Sequence, residues 1–423
     1  MAVGKSIIRK EAWDKVTGRA KYTNDFKEQG MLHAALVTSP YAHARILSLD
    51  ARRALAAPGV HAVVTGEGLP LTGEDMRDRP PIAVDKVRYY GEVVAVVVAD
   101  TLAQAEQAAR LVRVVYEPLP AVGSPGEALK EGAPLLHEHL DRYEKNKTTH
   151  PEPGTNVAHR TKIRKGNIEQ GFAESDVIVE TSVSFAPSDH IAMETRCATA
   201  EIWPDGTIHI SASSQSPFMI KKLLHTYFGE ETGKVIVHTP LVGGAYGGKA
   251  PVQLELLAYL ASKAVGGRKV SVWNSREHDM VTSPVHIGLE QPSKSARQKM
   301  ACSRPWKSYF YLTAGLIPTR RSMSAAPQPS IAPARTMSKT SFVIHCASIR
   351  IARTRRRFAV LAIANRHLPS SGPSMNWHER FNLTHGRCGA KMPSARGIRP
   401  QRKYGSPKAT SATCRPASTD CAS

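Results

Sequence analysis

Acidic residues are almost absent from the last third of this 423-residue chain. Residues 291–423 contain 24 Lys and Arg but only two acidic residues, Glu379 and Asp420, whereas residues 1–290 contain 33 basic and 34 acidic residues. Five of the six cysteines also lie after residue 290. The net charge of +21 is therefore an average over two unlike parts and does not by itself indicate a basic protein.

Three further absences narrow the class of protein. Cys197 is the lone cysteine of residues 1–290 and no CxxC pair occurs, so no disulfide framework is expected. The longest apolar run, residues 93–99, is far shorter than the roughly 20 residues that span a bilayer. Residues 1–10 reach charged side chains before any apolar stretch forms, which is unlike a secretory signal. We expect a cytoplasmic protein with no membrane contact.

The first part of the chain alternates strand and helix patterns. Residues 89–99 form a nearly continuous β-branched run, typical of a strand buried on both faces. Thr101 and Gln104 then form a helix-capping pattern, and residues 114–116 begin a second strand. This order predicts an α+β or α/β domain over residues 1–122. A stretch rich in Gly, Pro, Glu, Lys and His predicts a linker over residues 123–155.

A second domain is predicted over residues 156–290. Residues 177–185 and 207–211 alternate apolar and polar side chains as strands do. A helix is expected over residues 223–228, a strand over 234–238, and a further helix from Pro251. Residues 291–423 have no comparable periodicity, and we expect them to be largely disordered.

A glycine-rich loop at residues 243–248 lies between a predicted strand and a predicted helix. Its spacing to Lys249 fits a phosphate-binding loop up to the last position, where Ala250 replaces the Ser or Thr that would bind Mg²⁺. A nucleotide-binding protein is thus one alternative. A turn that needs glycine only for its backbone angles is another. The density of glycines favours backbone N–H groups that closely approach an anionic ligand.

Two other features of the sequence can be interpreted either as functional or as ordinary surface structure. Gln215 ends a predicted strand, where its amide either is solvated or donates to an oxo or carbonyl group. The arginine-rich run at 353–357 suggests a basic nucleic-acid-binding protein, although the run lacks interleaved aromatic residues. The histidines at 137 and 139 lie in the predicted linker and lack metal-ligand spacing.

Four stretches of residues 1–290 together carry a family resemblance: residues 15–25, residues 87–95 with 115–120, residues 190–195 with 214–215, and residues 243–249 with 275–277. Their order and spacing resemble the molybdenum-cofactor-binding large subunit of the xanthine dehydrogenase/aldehyde oxidase family. The resemblance implies an α/β hammerhead domain followed by part of the molybdopterin-binding domain. The position of Tyr246 is more often Phe in the family.

The resemblance also implies a chemistry and a set of residues. Family members hydroxylate an N-heterocycle or an aldehyde with water-derived oxygen, using a molybdenum-pterin (molybdopterin) cofactor. The 2Fe-2S clusters and FAD would lie on an iron-sulfur subunit and an FAD subunit, and no specific nucleic acid is implied. The positions that match the family's cofactor-binding residues are Gln215, Gly243, Gly244, Ala245, Tyr246, Gly247 and Gly248.

The resemblance stops after Glu290, and with it the part that holds the family's glutamate base, so no catalytic residue is assigned and this chain alone is expected to be inactive. Back-translation of residues 311–320 with permissible codons, read two bases later, gives Phe-Asp-Gly-Gly-Ala-Tyr-Ser-Asp-Lys, a family segment. The same shift of residues 357–363 permits Phe-Arg-Gly-Phe-Gly-His. We hypothesise a frameshift near residue 290, which would make residues 291–423 an out-of-frame tail.

Overall fold

The computed structural model describes residues 4, 6–165, 167–286, 288–297, 306–313, 341–348 and 355–356. All of these belong to one compact unit. The helices of the described part are α1 Ala12–Val16, α2 Arg52–Leu55, α3 Leu102–Ala109, α4 Pro125–Ala128, α5 Ile168–Ala173, α6 Pro217–Phe228, α7 Leu254–Ala264 and α8 Arg276–Thr282. Two short 3₁₀ turns are Thr23–Asp25 and Thr232–Lys234.

The strands of the described part fall in two groups along the chain. The first group is β1 Leu32–Thr38, β2 Ala44–Asp50, β3 Val60–Val64, β4 Lys86–Val87, β5 Val93–Ala99, β6 Arg113–Pro118 and β7 Val157–Lys165. The second group is β8 Val177–Phe185, β9 Cys197–Ile202, β10 Ile208–Ala212, β11 Val235–His238, β12 Val270–Trp273, β13 Val285–His286, β14 Leu289–Arg297, β15 Trp306–Thr313, β16 Ser341–Ser348 and β17 Arg355–Arg356.

A seven-stranded mixed sheet joins the two predicted domains, in the order β11-β10-β9-β12-β1-β5-β3. Strands β1 and β12 run parallel, with Leu32 opposite Val270, although 238 positions separate them. The central strand β5 is buried along its whole length, as its continuous β-branched run predicts. Strands from both sides of the predicted domain boundary near residue 122 share this one sheet. The boundary itself stays a prediction.

Helix α7 covers one face of this sheet, and the main hydrophobic core lies between the helix and the sheet. Its residues from Leu254 to Ser262 are all buried. Apolar side chains of β9, β10, β12 and β1 pack in the same cluster, including Ile210 and Val272. The helix begins at Leu254, so the predicted start at Pro251 is three residues early. The residues between form a turn that carries the chain from the glycine loop to the helix.

Helix α6 is longer than predicted. It begins at Pro217 rather than at residue 223, and Pro217 occupies the first turn, where its missing N–H costs no hydrogen bond. It ends at Gly229, which has the left-handed angle φ 74° that glycine adopts without strain. The first turn of α6 therefore lies directly after Gln215.

The segment predicted as a linker, residues 123–155, packs against the first domain. Leu136 and Leu140 are 2% and 1% exposed and form a small cluster with Met76 and Tyr89. His137 in the same segment is also buried. The segment is therefore held against the fold by buried apolar side chains.

A five-stranded sheet has the order β7-β16-β15-β14-β8, and a three-stranded sheet has the order β4-β2-β6. Strand β14 runs through Glu290 without interruption and pairs antiparallel with β8 over its whole length. The predicted disorder of residues 291–423 falls mostly on residues outside the described ranges. The described pieces of that region are strands.

Candidate cofactor-binding site

Two loops lie against each other at the predicted site. One loop precedes β9 and contains Glu194; the other is the glycine loop of residues 243–249, which follows β11. The Glu194 N–H donates to the Gly243 carbonyl over 3.0 Å, and the Gly243 N–H donates to Glu194 Oε2 over 2.8 Å. This two-way bonding fixes the start of the glycine loop against the neighbouring segment.

Two glycines are required by this close approach. A Cβ placed on Gly243 would lie 2.6 Å from the Cβ of Glu194. A Cβ placed on Gly248 would lie 2.7 Å from the His190 ring. Separations below about 3.0 Å are essentially never observed for real Cβ atoms. The glycine spacing therefore reflects backbone contact between the loops as well as turn geometry.

The middle of the glycine loop has an unusual backbone. Gly244, Tyr246 and Gly247 have φ values of 95°, 52° and 87°. Within the described residues, the N–H groups of Gly244, Ala245 and Gly247 have no hydrogen-bond partner. Successive N–H groups in a turn of mixed handedness form a concave site for an anion or an electron-rich oxygen. The predicted approach of these N–H groups to an anionic ligand stays a prediction.

Gln215 is brought to the same place as the glycine loop. Its N–H donates to the Lys249 carbonyl over 2.9 Å, which ties the end of β10 to the end of the loop. Its side chain is exposed and its amide has no partner among the described residues. The structure thus joins all seven predicted residues in one site, although their roles in binding stay predictions.

Lys249 has a role that the phosphate-loop pattern does not suggest. Its side chain is 3% exposed and its Nζ lies 2.6 Å from Glu194 Oε2. Burial lowers the pKa of Lys249, and the hydrogen bond that Lys249 donates to Glu194 opposes that shift. Because its charge is buried and paired, Lys249 is not available to a nucleotide phosphate, which counts against the nucleotide-binding alternative.

The contacts of two supporting arginines were not predicted from the sequence, although residues 275–277 contributed to the resemblance. Arg196 contacts the Gly248 carbonyl through its guanidinium, and its N–H donates to Asp279 Oδ1 over 3.3 Å. Arg276 bonds the carbonyls of Ala192 and Met193, which hold the Glu194 loop. These contacts join positions far apart in sequence, so no local pattern reveals them.

A histidine pair lies behind the loop. The rings of His190 and His286 are 4.2 Å apart. Burial, with the neighbouring His286 second, lowers the pKa of His190 to about 4. Burial and the neighbouring His286 thus keep the His190 ring neutral at physiological pH, so the ring packs against Gly248 without adding charge.

Other candidate groups of the described residues do not form a metal or redox site. No group of three or more His, Cys, Asp or Glu side chains has metal-binding geometry among them. Burial raises the pKa of Cys197 to about 12, which keeps its thiol protonated. Of the basic run at 353–357, only Arg355 and Arg356 are described, as strand β17, so the nucleic-acid prediction lies mainly outside the described residues. The helices that the structure describes include none long and apolar enough to span a membrane.

Two family models match the chain in the predicted order. Residues 17–120 match the a/b hammerhead domain of aldehyde oxidase and xanthine dehydrogenase. Residues 149–300 match a molybdopterin cofactor-binding domain, ten residues beyond the point where the resemblance was predicted to stop. These two matches define the class of the chain as a hammerhead domain followed by a molybdopterin cofactor-binding domain.

Relatives of the whole family support this assignment. The chain is 31% identical over 283 residues to the xanthine dehydrogenase molybdenum-binding subunit of Escherichia coli, covering 64% of this chain and 36% of that protein. It is 32% identical over 299 residues to the nicotine 6-hydroxylase large subunit of Paenarthrobacter nicotinovorans, covering 67% and 35%. The chain belongs to the xanthine dehydrogenase and aldehyde oxidase family.

Solved structures show the same fold. Quinoline 2-oxidoreductase from Pseudomonas putida 86 superposes with a TM-score of 0.74 at 26% identity, covering 85% of this chain and 46% of that one. CO dehydrogenase from Oligotropha carboxidovorans superposes with a TM-score of 0.80 at 22% identity, covering 92% and 50%, a likeness of fold alone. The chain spans about a third of the length of the curated relatives named above.

Proposed function

We propose that this chain is the cofactor-binding part of a molybdenum hydroxylase large subunit that hydroxylates an N-heterocycle or an aldehyde with oxygen from water. The observation that carries the proposal is the set of three N–H groups of Gly244, Ala245 and Gly247 beside the Gln215 side-chain amide, all without hydrogen-bond partners among the described residues. One relative is named as a molybdenum-binding subunit and another as a large subunit, which supports an assembly of several chains.

The residues of the site fit a molybdenum-pterin cofactor. The N–H groups of Gly244, Ala245 and Gly247 and the Gln215 amide would donate to electron-rich atoms of the group. When bound, the cofactor supplies the two-electron chemistry of hydroxylation. The protein residues bind it, orient it and limit its contact with water.

Partner subunits complete the proposed enzyme. We propose that an iron-sulfur subunit and an FAD subunit carry the electrons onward, and that the assembly is cytoplasmic. We propose that the chain alone is inactive, because it lacks the part of the family that holds the catalytic base. The glutamate base that the family uses would come from the remaining two thirds of a complete large subunit.

Pterin extraction tests the binding proposal. The chain is produced in a host that makes the molybdenum-pterin cofactor, and oxidised pterin is measured by fluorescence after purification. We expect the parent chain to retain pterin and Gln215→Ala to retain less. A parent chain that is folded and pterin-free under these conditions would refute the proposal.

A frameshift near residue 290 remains part of the proposal for residues 291–423. The family match extends to residue 300, and β14 continues to Arg297, so a shift of frame would lie close to or after these positions. Sequencing the gene from codon 285 to codon 310 tests it. An unaltered reading frame, with no family segment in the other two frames, would remove the hypothesis.

A further inference from the structure

Glu194 contacts the glycine loop at both of its ends. Its Oε2 accepts from the Gly243 N–H over 2.8 Å and from Lys249 Nζ over 2.6 Å. Its own N–H donates to the Gly243 carbonyl. One side chain therefore spans the loop from its first residue to its last.

Lys249 extends this contact to a third segment. Its carbonyl accepts from the Gln215 N–H over 2.9 Å and from the Ser214 hydroxyl over 3.4 Å. The Glu194 and Lys249 side chains are 12% and 3% exposed, so solvent screens their attraction little. The ion pair thus connects the Glu194 loop, the glycine loop and the end of β10.

We propose that Glu194 is a positioning residue which, through Lys249, sets the glycine loop and Gln215 in their binding arrangement before any cofactor arrives. The identity of the cofactor rests on the function proposed above, whereas the positioning itself does not. Lys249, which ends the glycine loop, would then form an ion pair with Glu194 of the protein and would not bind a ligand phosphate. Pre-set loops bind their ligands more tightly because less ordering is left to do on binding.

A paired replacement separates this role from general stability. Removing one partner leaves a buried charge and strongly destabilises a fold, whereas replacing both by apolar residues of similar volume is often neutral. The double variant Glu194→Leu with Lys249→Met is therefore the better test. It removes the acceptor for the Gly243 N–H while leaving no unpaired charge.

A second ion pair provides a control that is matched in length and in the burial of its lysine. Lys86 Nζ lies 2.7 Å from Glu138 Oε1, and the Lys86 and Glu138 side chains are 5% and 52% exposed. The same replacement there, Glu138→Leu with Lys86→Met, removes an ion pair of similar length outside the site. Melting temperatures of both double variants and of the parent report the general effect on stability.

Amide hydrogen exchange on the full cofactor-free chain measures the positioning directly. We expect exchange of the Gly243 and Gln215 N–H groups to become about ten-fold faster or more in the Glu194/Lys249 variant, because the charge-assisted hydrogen bond that holds Gly243 is lost and Lys249 no longer fixes Gln215. The Glu138/Lys86 variant should leave these residues at the parent rate. Unchanged loop exchange in the folded Glu194/Lys249 variant, or an equal increase in both variants, would overturn the proposal.

Pterin retention provides the second measurement. We expect the Glu194/Lys249 variant to retain several-fold less pterin than the parent and the control variant to retain as much. Faster loop exchange with full retention would overturn the positioning role. A parent chain without pterin would refute the proposed function alone, since the exchange result would still decide whether Glu194 holds the loop.

Discussion

Glu194 Oε2 accepts hydrogen bonds from both ends of the glycine loop, from the Gly243 N–H and from Lys249 Nζ. The loop also requires glycine at particular positions. Glycine is needed at 243 and 248 because another chain segment occupies the space of a Cβ. Gly247 is needed for a different reason, because its φ of 87° is strained for other residues. The same residue type thus meets two separate physical requirements within six positions.

Substitution of Gly248 by alanine should lower the free energy of unfolding by about 1–3 kcal/mol, because the new Cβ would press against the His190 ring. Chemical denaturation of the full chain measures this change. Gly233→Ala is the control, since nothing lies within 4 Å of its Cβ position and its φ is not positive. Equal stabilities of the two variants would contradict the close contact.

The buried carboxyl of Glu92, which lies outside the candidate site, should make the stability of the chain depend on pH. Its carboxyl is 4% exposed, and burial raises its pKa to about 7 from an ordinary 4.5. Between these values the unfolded chain releases the proton while the folded chain keeps it, so stability falls as pH rises through this window. Below pH 4.5 the carboxyl is protonated in both the folded and the unfolded chain, so its contribution to stability no longer changes with pH.

Glu92→Gln should therefore become more stable relative to the parent as pH rises from 4.5 to 7. A pKa difference of this size corresponds to an effect on the order of 3 kcal/mol. Denaturation curves of parent and variant at pH 5 and pH 8 measure it. A stability difference that is the same at both pH values would show that Glu92 titrates normally.

At the scale of elements, local sequence patterns predicted the types of strand and helix but not their partners. The run before Ala99 fixed β5 as a buried strand, and Thr101 caps α3 by accepting from the Gln104 N–H. The parallel pairing of β1 with β12 was not predicted, because no local signal links residues more than 200 positions apart. Gln215 and the glycine loop were found through motifs, whereas Arg196 and Asp279 act through contacts that only the fold creates.

Helix α7 is the element on which the sheet most depends. Leu257→Ala should lower the free energy of unfolding by about 2–5 kcal/mol, because it opens a cavity in the main core. Leu257 is 1% exposed, whereas Lys263 on the same helix is 58% exposed at its side chain. Lys263→Ala should change stability little when both are compared by denaturation. A small loss for Leu257→Ala would mean that α7 does not cover the sheet tightly.

At the scale of the whole molecule, the change in charge after Glu290 does not coincide with the end of the family match, which extends to residue 300. The two family models cover residues 17–120 and 149–300, and every residue of the candidate site lies within the second. The charge of +21 comes almost entirely from beyond Glu290, so it describes neither the fold nor the site.

The molybdenum content of the purified chain tests the central claim most directly. The full chain is co-produced with iron-sulfur and flavin partner subunits, and metal is measured per chain by elemental analysis. We expect molybdenum to co-purify with the parent chain and to fall several-fold in the Glu194/Lys249 double variant but not in the Glu138/Lys86 control. A folded parent chain without molybdenum would contradict the assignment of a cofactor-binding site to Gln215 and the glycine loop.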